Sequence, residues 1–305
     1  MAITKVRIKI NGSWVNLKKD AESGKWTGAV TAPAATSYHM DGKYYPVTVE
    51  ATNDAGTVKV WDASDTAWGR TLQLKVREKM KPAAVVVSPS NGAYVTNNRQ
   101  KITFKVTDEA GGSGIDLASV KLKIDDDVYS GSSEGMEQSE ITNGYQLAYT
   151  PQTALEDGKH TITVEVSDHD GNVAEAVSAV FTVDTVPPTL TVTDPVAGLI
   201  TNNPALTVTG RTNDATSSPV GVAIALNGTQ QGDVTVGKDG SFSKTVTLKE
   251  GTNSIVVTAT DAAGKESSVT RSVKLDTTIP EIRSLTLAPN PADASESVAI
   301  TIEVI

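Results

Sequence analysis

Cysteine is absent from the 305 residues, so no disulfide ties any part of the chain together and thiol chemistry is excluded. Aromatic residues are scarce at 5%, and hydrophobic residues reach only 38%. That is lean for one large core and sufficient for several small ones. Long helical periodicity is missing. No run approaches the ~18 apolar residues of a membrane helix, so membrane insertion is not expected. The opening MAITKVRIKINGSW lacks an apolar h-region and a cleavage site, and no wall-anchoring tail is visible. These absences predict a soluble chain made without a Sec signal.

Catalytic signatures are missing too. There is no Walker A loop, no G-x-S-x-G elbow and no H-E-x-x-H. The three histidines are His39, His160 and His169. His160 and His169 fall at opposite ends of one predicted strand, too far apart to share a metal at ~3.3 Å per residue. All three are expected as solvated turn residues, and no enzyme is expected.

Charge is unevenly spread. Residues 1–80 carry 12 Lys and Arg against 8 Asp and Glu, whereas residues 81–305 carry 15 against 28. Nucleic acid is therefore not the expected partner of the acidic part, and the cations of the first part form no stripe. A cationic end and an anionic end suit head-to-tail contacts.

What the chain does have is a repeat. One signature occurs as DGKYYPVTVEATNDAG (41–56), DGKHTITVEVSDHDG (157–171) and EGTNSIVVTATDAAG (250–264). Each is an acidic-Gly turn, an alternating strand and a polar turn ending in Gly56, Gly171 or Gly264. Asn53, Asp168 and Asp261 precede those glycines by three residues, where they can bond their own backbone while Gly takes a positive φ. A second signature is VRIKING (6–12), VKLKIDD (120–126) and VAIALNG (222–228). A third is SPSNGAYVTNNRQKITFKVTD (88–108) beside DPVAGLITNNPALTVTGRTND (194–214). DTVPP (184–188) and DTTIP (276–280) mark the joints, because proline cannot continue a sheet.

Short strands at this spacing predict an all-β chain of tandem immunoglobulin-like antiparallel sandwiches in a rod. The expected divisions are 1–80, 81–186, 187–278 and 279–305. The first lacks the opening A–B strands and starts at strand C. The last, PEIRSLTLAPNPADASESVAITIEVI, is an A–B pair alone. An incomplete sandwich is thus expected at each end.

The stretch DGSFSKTVTLKEGTNSIVVTATDAAGKES (239–267) and the DT-x-x-P joints resemble bacterial immunoglobulin-like modules of surface adhesins and polysaccharide-active enzymes. The ending SLTLAPNPADASESVAITIEV resembles the C-terminal segment of tail and baseplate-associated proteins in phages of Gram-positive bacteria. The resemblance implies a virion protein made in the host cytoplasm, with other virion proteins or copies of itself as partners. The alternative it leaves open is a carbohydrate-binding or adhesin fragment at a bacterial cell surface.

Three groups of residues are candidates for function. SDHDGN (167–172) places Asp168 and Asp170 where they can offer oxygens to calcium, and DEAGGSGID (108–116) and Asp125–Asp127 add carboxylates. None matches the twelve-residue calcium loop, so no cofactor is expected, with calcium the one candidate. All four tryptophans, Trp14, Trp26, Trp61 and Trp68, lie in the first 80 residues. Trp26 is expected in the core, and Trp61 and Trp68 at a partner protein or a host-surface glycan. Leu285, Leu287, Val298, Ile300, Ile302 and Val304 form the apolar face of the last strand pair. Donated to an incomplete sandwich of a neighbour, they would complete it. The other expectations are a truncated chain, or a tail folded back on its own third sandwich.

Overall fold

The computed structural model describes all 305 residues and contains strands, turns and two single-turn 3-10 segments. The first 80 residues hold β1 (Ile3–Ile10), β2 (Ser13–Asn16), β3 (Lys18–Lys19), β4 (Trp26–Thr27), β5 (Tyr45–Asn53), β6 (Val58–Trp61) and β7 (Gln73–Leu74). They build one sheet in the order β2-β1-β5-β6, with β7 also on β5, and a separate β3–β4 ribbon.

Next come β8 (Ala83–Ser88), β9 (Ala93–Val95), β10 (Ile102–Thr107), β11 (Lys121–Ile124), β12 (Asp127–Ser130), β13 (Met136–Ile141), β14 (Gly144–Tyr149), β15 (Gly158–Glu165) and β16 (Val177–Val183). They form two sheets, β13-β14-β10-β8 and β12-β11-β15-β16-β9. The opening segment divides between them, since β8 pairs with β10 and β9 runs parallel to β16. Pro89 falls in the gap, where a residue without an N–H costs no ladder bond.

The pattern repeats in β17 (Thr189–Asp194), β18 (Leu199–Thr201), β19 (Ala205–Asn213), β20 (Gly221–Leu226), β21 (Thr229–Gln230), β22 (Ser241–Thr247), β23 (Gly251–Thr260) and β24 (Glu266–Leu275). Their sheets are β17-β19-β22 and β18-β24-β23-β20-β21. Last, β25 (Ile282–Ala288) pairs antiparallel with β26 (Ala299–Val304) and with nothing else. Contacts divide the chain into two compact units, Met1–Asp184 and Thr185–Ile305.

The two complete sandwiches are closed by alternating side chains. Phe104, Leu122, Leu147, Ile162 and Phe181 are buried in one core. Val208, Ile224, Phe242, Ile255 and Val273 are buried in the other. The repeated polar turn is built as its residues predict. Asn53, Asp168 and Asp261 each accept from a backbone N–H four residues on, at 2.8–2.9 Å. Gly56, Gly171 and Gly264 take φ of 77°, 93° and 83°.

Buried in the second sandwich, Tyr149 stacks on Tyr129 with ring centroids 4.4 Å apart. Burial, with Tyr129 beside it, pushes the Tyr149 phenol from 10.0 up to about 12. A raised acid constant favours the folded state while the phenol is neutral. Its stabilisation is complete below pH ~10 and is lost as pH rises through about 12. Denaturant titrations between those limits should show the second sandwich weakening, and Tyr149→Phe should flatten the slope. An unchanged slope in that variant would remove Tyr149 from the account.

Candidate functional site

Four carboxylates converge where the connector after the first sheet meets the second sandwich. Glu78 comes from the connector, Asp108 and Glu109 from the end of β10, and Asp168 from the β15–β16 turn. One oxygen each of Glu78, Asp108 and Asp168 lies within 4.8 Å of the others. Asp168 is 2% exposed and Asp108 8%. Asp168 accepts from the Asn172 backbone N–H at 2.9 Å and its side-chain amide at 2.7 Å. Asp108 Oδ2 accepts from the Gly114 N–H at 2.7 Å, and one Glu78 oxygen accepts from the Ser113 N–H. Asp108 Oδ1, Glu78 Oε2 and Glu109 Oε2 are buried with no hydrogen-bond partner.

Gly112 makes this convergence possible. A Cβ there would sit 2.6 Å from Asp108 Oδ2 and 2.8 Å from Glu78 Oε2. The crowding shows in the proton affinities. A hydrogen bond to Glu78, burial and Asp108 push the Glu109 carboxyl up to about 7. Burial also acts to raise Glu78, but hydrogen bonds from Glu109 and Ser113, with His39 nearby, outweigh it and hold Glu78 below 4.5.

The two calcium candidates therefore part company. Asp168 joins the cluster. Asp170 is turned away from it, and its Oδ2 accepts from the Thr36 hydroxyl at 2.5 Å and the Glu78 N–H at 3.1 Å. The Asp125 carboxylate is also occupied, by the Thr161 N–H at 2.8 Å and His160 Nδ1 at 2.7 Å.

The expectation of solvated turn histidines holds for His39 and His169, which are exposed in turns, and fails for His160. His160 is buried on β15, with Nε2 donating to the Glu156 carbonyl at 2.8 Å, because the β11–β15 register brings Asp125 over it. His169 stacks flat on Tyr38 at 4.3 Å, and His39 Nε2 donates to the Gly112 carbonyl at 2.7 Å. Both secure the junction between the first sheet and the second sandwich.

Trp26 also departs from expectation. Trp26 is half-buried on the β3–β4 ribbon and belongs to neither core. Val6, Tyr45 and Val47 are the buried residues of the first sheet instead, with Leu72 and Val76 on either side of β7. Trp14 lies on the polar face, with the Arg7 guanidinium 4.3 Å above its ring. Trp61 and Trp68 meet Val49, Thr71 and Leu72 in a shallow hollow, and Trp68 is 58% exposed. Asp65 Oδ1 accepts from the Ala67 and Trp68 N–H groups at 2.9 Å, which fixes that loop. Trp61 pairs with Val49 across β5–β6, so the hollow belongs to the apolar face of the first sheet, where Ile8, Ile10 and Val49 are half-buried. Val6, Tyr45 and Val47 on the same face are buried, and the other sheet among residues 1–80 is only the two-stranded β3–β4 ribbon.

Leu285, Leu287, Val298, Ile300, Ile302 and Val304 are all exposed, at 40–64%. Leu285 faces Ile302 and Leu287 faces Ile300 across the pair, so five of the six gather on one apolar face with Val304. The pairing has the same form as β8 with β10, including a register shift.

Residues 95–185 match the model of a bacterial Ig-like domain, and residues 188–277 match that of glucodextranase domain B. Bacillopeptidase F of Bacillus subtilis (strain 168) is 26% identical over 206 residues, which is 68% of this chain and 13% of that protein. The chain thus spans about an eighth of that relative's length. Among solved structures, the fibronectin(III)-like modules of Clostridium thermocellum CbhA are 18% identical with a TM-score of 0.39, over 63% of this chain and 94% of theirs. SGBP-B of the Bacteroides ovatus mixed-linkage glucan utilization locus, solved with a heptasaccharide, is 12% identical with a TM-score of 0.22, over 94% of this chain and 66% of its own. The chain is an all-β assembly of tandem Ig-like sandwiches. Modules of this kind typically serve as surface or structural units rather than catalysts.

Proposed function

We propose that the chain is a non-catalytic spacer and attachment protein that assembles by strand complementation. The observation that carries this is a pair of unfilled halves. The first sheet leaves part of its apolar face, at Ile8, Ile10, Val49, Trp61 and Trp68, only half-covered and faces no full second sheet, and the β25–β26 pair has an apolar face with no further strand beside it. The donated pair would come from a second copy. Residues 279–305 carry one arginine and four carboxylates, opposite in sign to the first 80 residues. The hollow at Trp61 and Trp68 offers only Thr71 as a polar wall, which suits Leu and Ile side chains better than a sugar. Contacts of this heterologous kind propagate into linear chains.

The setting we infer is a phage tail or baseplate, on the resemblance of the last segment. A second reading is an accessory segment of a secreted bacterial surface protein, favoured by the similarity to bacillopeptidase F and to glucodextranase domain B. Light scattering of the full chain and of a form lacking 280–305 tests the assembly. Concentration-dependent growth in mass should appear only in the full chain. Trp61→Ala with Trp68→Ala should weaken that growth and leave glycan-array signals at background. A glycan signal lost on that substitution would favour the surface-protein reading. Detection of the protein in purified virions, or in the secreted fraction of a bacterial culture, separates the two settings.

A further inference from the structure

We propose that Glu78, Asp108 and Asp168, with Glu109 beside them, bind one Ca²⁺ that locks the connector between the first sheet and the second sandwich. The site is independent of strand complementation. The cluster alone would be weak grounds, because exposed acidic groups gather on many surfaces. Here Asp108 is 92% buried by its 8% exposure, its Oδ1 has no hydrogen-bond partner, and one of its oxygens lies within 4.8 Å of Glu78 and Asp168 oxygens. Glu78 Oε2 is likewise without a partner, on a side chain that is partly buried. No lysine or arginine pairs with any of the four. Buried carboxylates without a counter-charge are relieved by a shared proton, as between Glu109 and Glu78, or by a bound cation, and only a cation can neutralise Glu78, Asp108 and Asp168 together.

The chemistry selects the ion. All the donors are oxygens, which suits a hard cation rather than zinc. His39 is not free to contribute, because its Nε2 already donates to Gly112. The ligand oxygens lie within 4.8 Å of one another, a separation that calcium–oxygen bonds of ~2.4 Å can bridge. Magnesium is strictly octahedral and gives up its water reluctantly, so a site of carboxylates from three segments suits it less. Gly112 keeps the space open, as any side chain there would displace Asp108 and Glu78. The same carboxylates recur in the next repeat, at the end of β19 as Asp214 and in the β23–β24 turn as Asp261. Both are buried, and Asp261 Oδ2 again has no partner.

Because the three ligands come from the connector, the end of β10 and the β15–β16 turn, one ion would tie these three segments together. Hydrogen exchange on the full chain, with EDTA and then with Ca²⁺ alone, reads this directly. Exchange at 77–82 and 108–116 should slow, and the melting temperature should rise by about 5–10 °C at a hundredfold excess over the dissociation constant. The double variant Asp108→Asn with Glu78→Gln should lose the slowing at those segments, while Asp126→Asn on the exposed β11–β12 turn keeps it. Mg²⁺ at the same concentration should give a smaller effect. Unchanged exchange at 77–82 on adding Ca²⁺, an undiminished response in the double variant, or an equal response to Mg²⁺ would each overturn the assignment. The EDTA comparison needs no substitution, so a variant that fails to fold leaves it intact.

Discussion

The Phe104→Ala protein is expected to lose about 3–5 kcal/mol of stability in its second sandwich, the cost of a large cavity in a packed core. Phe104 sits at the centre of β10, between Val86 of β8 and Leu147 of β14, and is fully buried. Its ring belongs to a core of short Val, Ile and Leu side chains that can move little to fill the gap. With a typical domain stability of ~5–15 kcal/mol, the loss brings this sandwich close to unfolding. The core around Phe242 shares no residue with it. Hydrogen exchange should therefore show protection falling in β10, β14 and β15 while β19 and β23 keep theirs. Equal loss in β23 would mean that the sandwiches unfold as one.

Replacing Ile300 and Ile302 together by glutamate is expected to abolish head-to-tail association and leave both cores intact. The two side chains are 64% and 49% exposed and lie in register with Leu287 and Leu285. Burial of each is worth ~1.5–3 kcal/mol in the complemented state. An unpaired carboxylate in the same place carries a desolvation penalty of similar size or larger. At about tenfold per 1.4 kcal/mol, the two changes together should weaken association by at least ~10³. Thr301→Glu also adds a carboxylate to β26 but on the opposite face, paired with Thr286, and should leave association unaltered. Sedimentation velocity distinguishes the two proteins. If the parent is monomeric at high concentration, or if Thr301→Glu dissociates it as well, the apolar face is not the joint.

Residues show where sequence reasoning reached and where it stopped. Asn53, Asp168 and Asp261 were legible because an Asx turn depends on side chains a few positions away. The opening segment was legible only in part. A single change of direction after β8 was visible at Pro89, but its division between two sheets was not, because pairing of β9 with β16 joins residues nearly ninety positions apart. His160 looked like a turn residue because it follows Gly158. Its burial depends on Asp125, supplied by another strand. Trp26 looked like a core residue because tryptophan is large and apolar, yet it falls on the short β3–β4 ribbon, which leaves it half-buried.

The carboxylate cluster lies between these cases. Asp108 and Asp214 recur at the end of the second strand of each repeat, and Asp168 and Asp261 recur in the later turn. That periodicity was in the sequence and exceeds what turn chemistry requires. Glu78 has no repeat-based signal, and its place beside them depends on how the connector crosses the sandwich.

Composition, alternation and repeat register by themselves determined that this chain is all-β, modular and free of the common catalytic signatures. Those features are local or periodic, and short-range sterics and the two-residue pleat are sufficient to dictate them. Only the tertiary structure decided which carboxylates meet, that His160 is buried while His39 and His169 are not, and which apolar side chains remain exposed. Those outcomes depend on pairing between residues distant in sequence, where burial and unsatisfied charge are properties of the assembled sheets and of no segment alone.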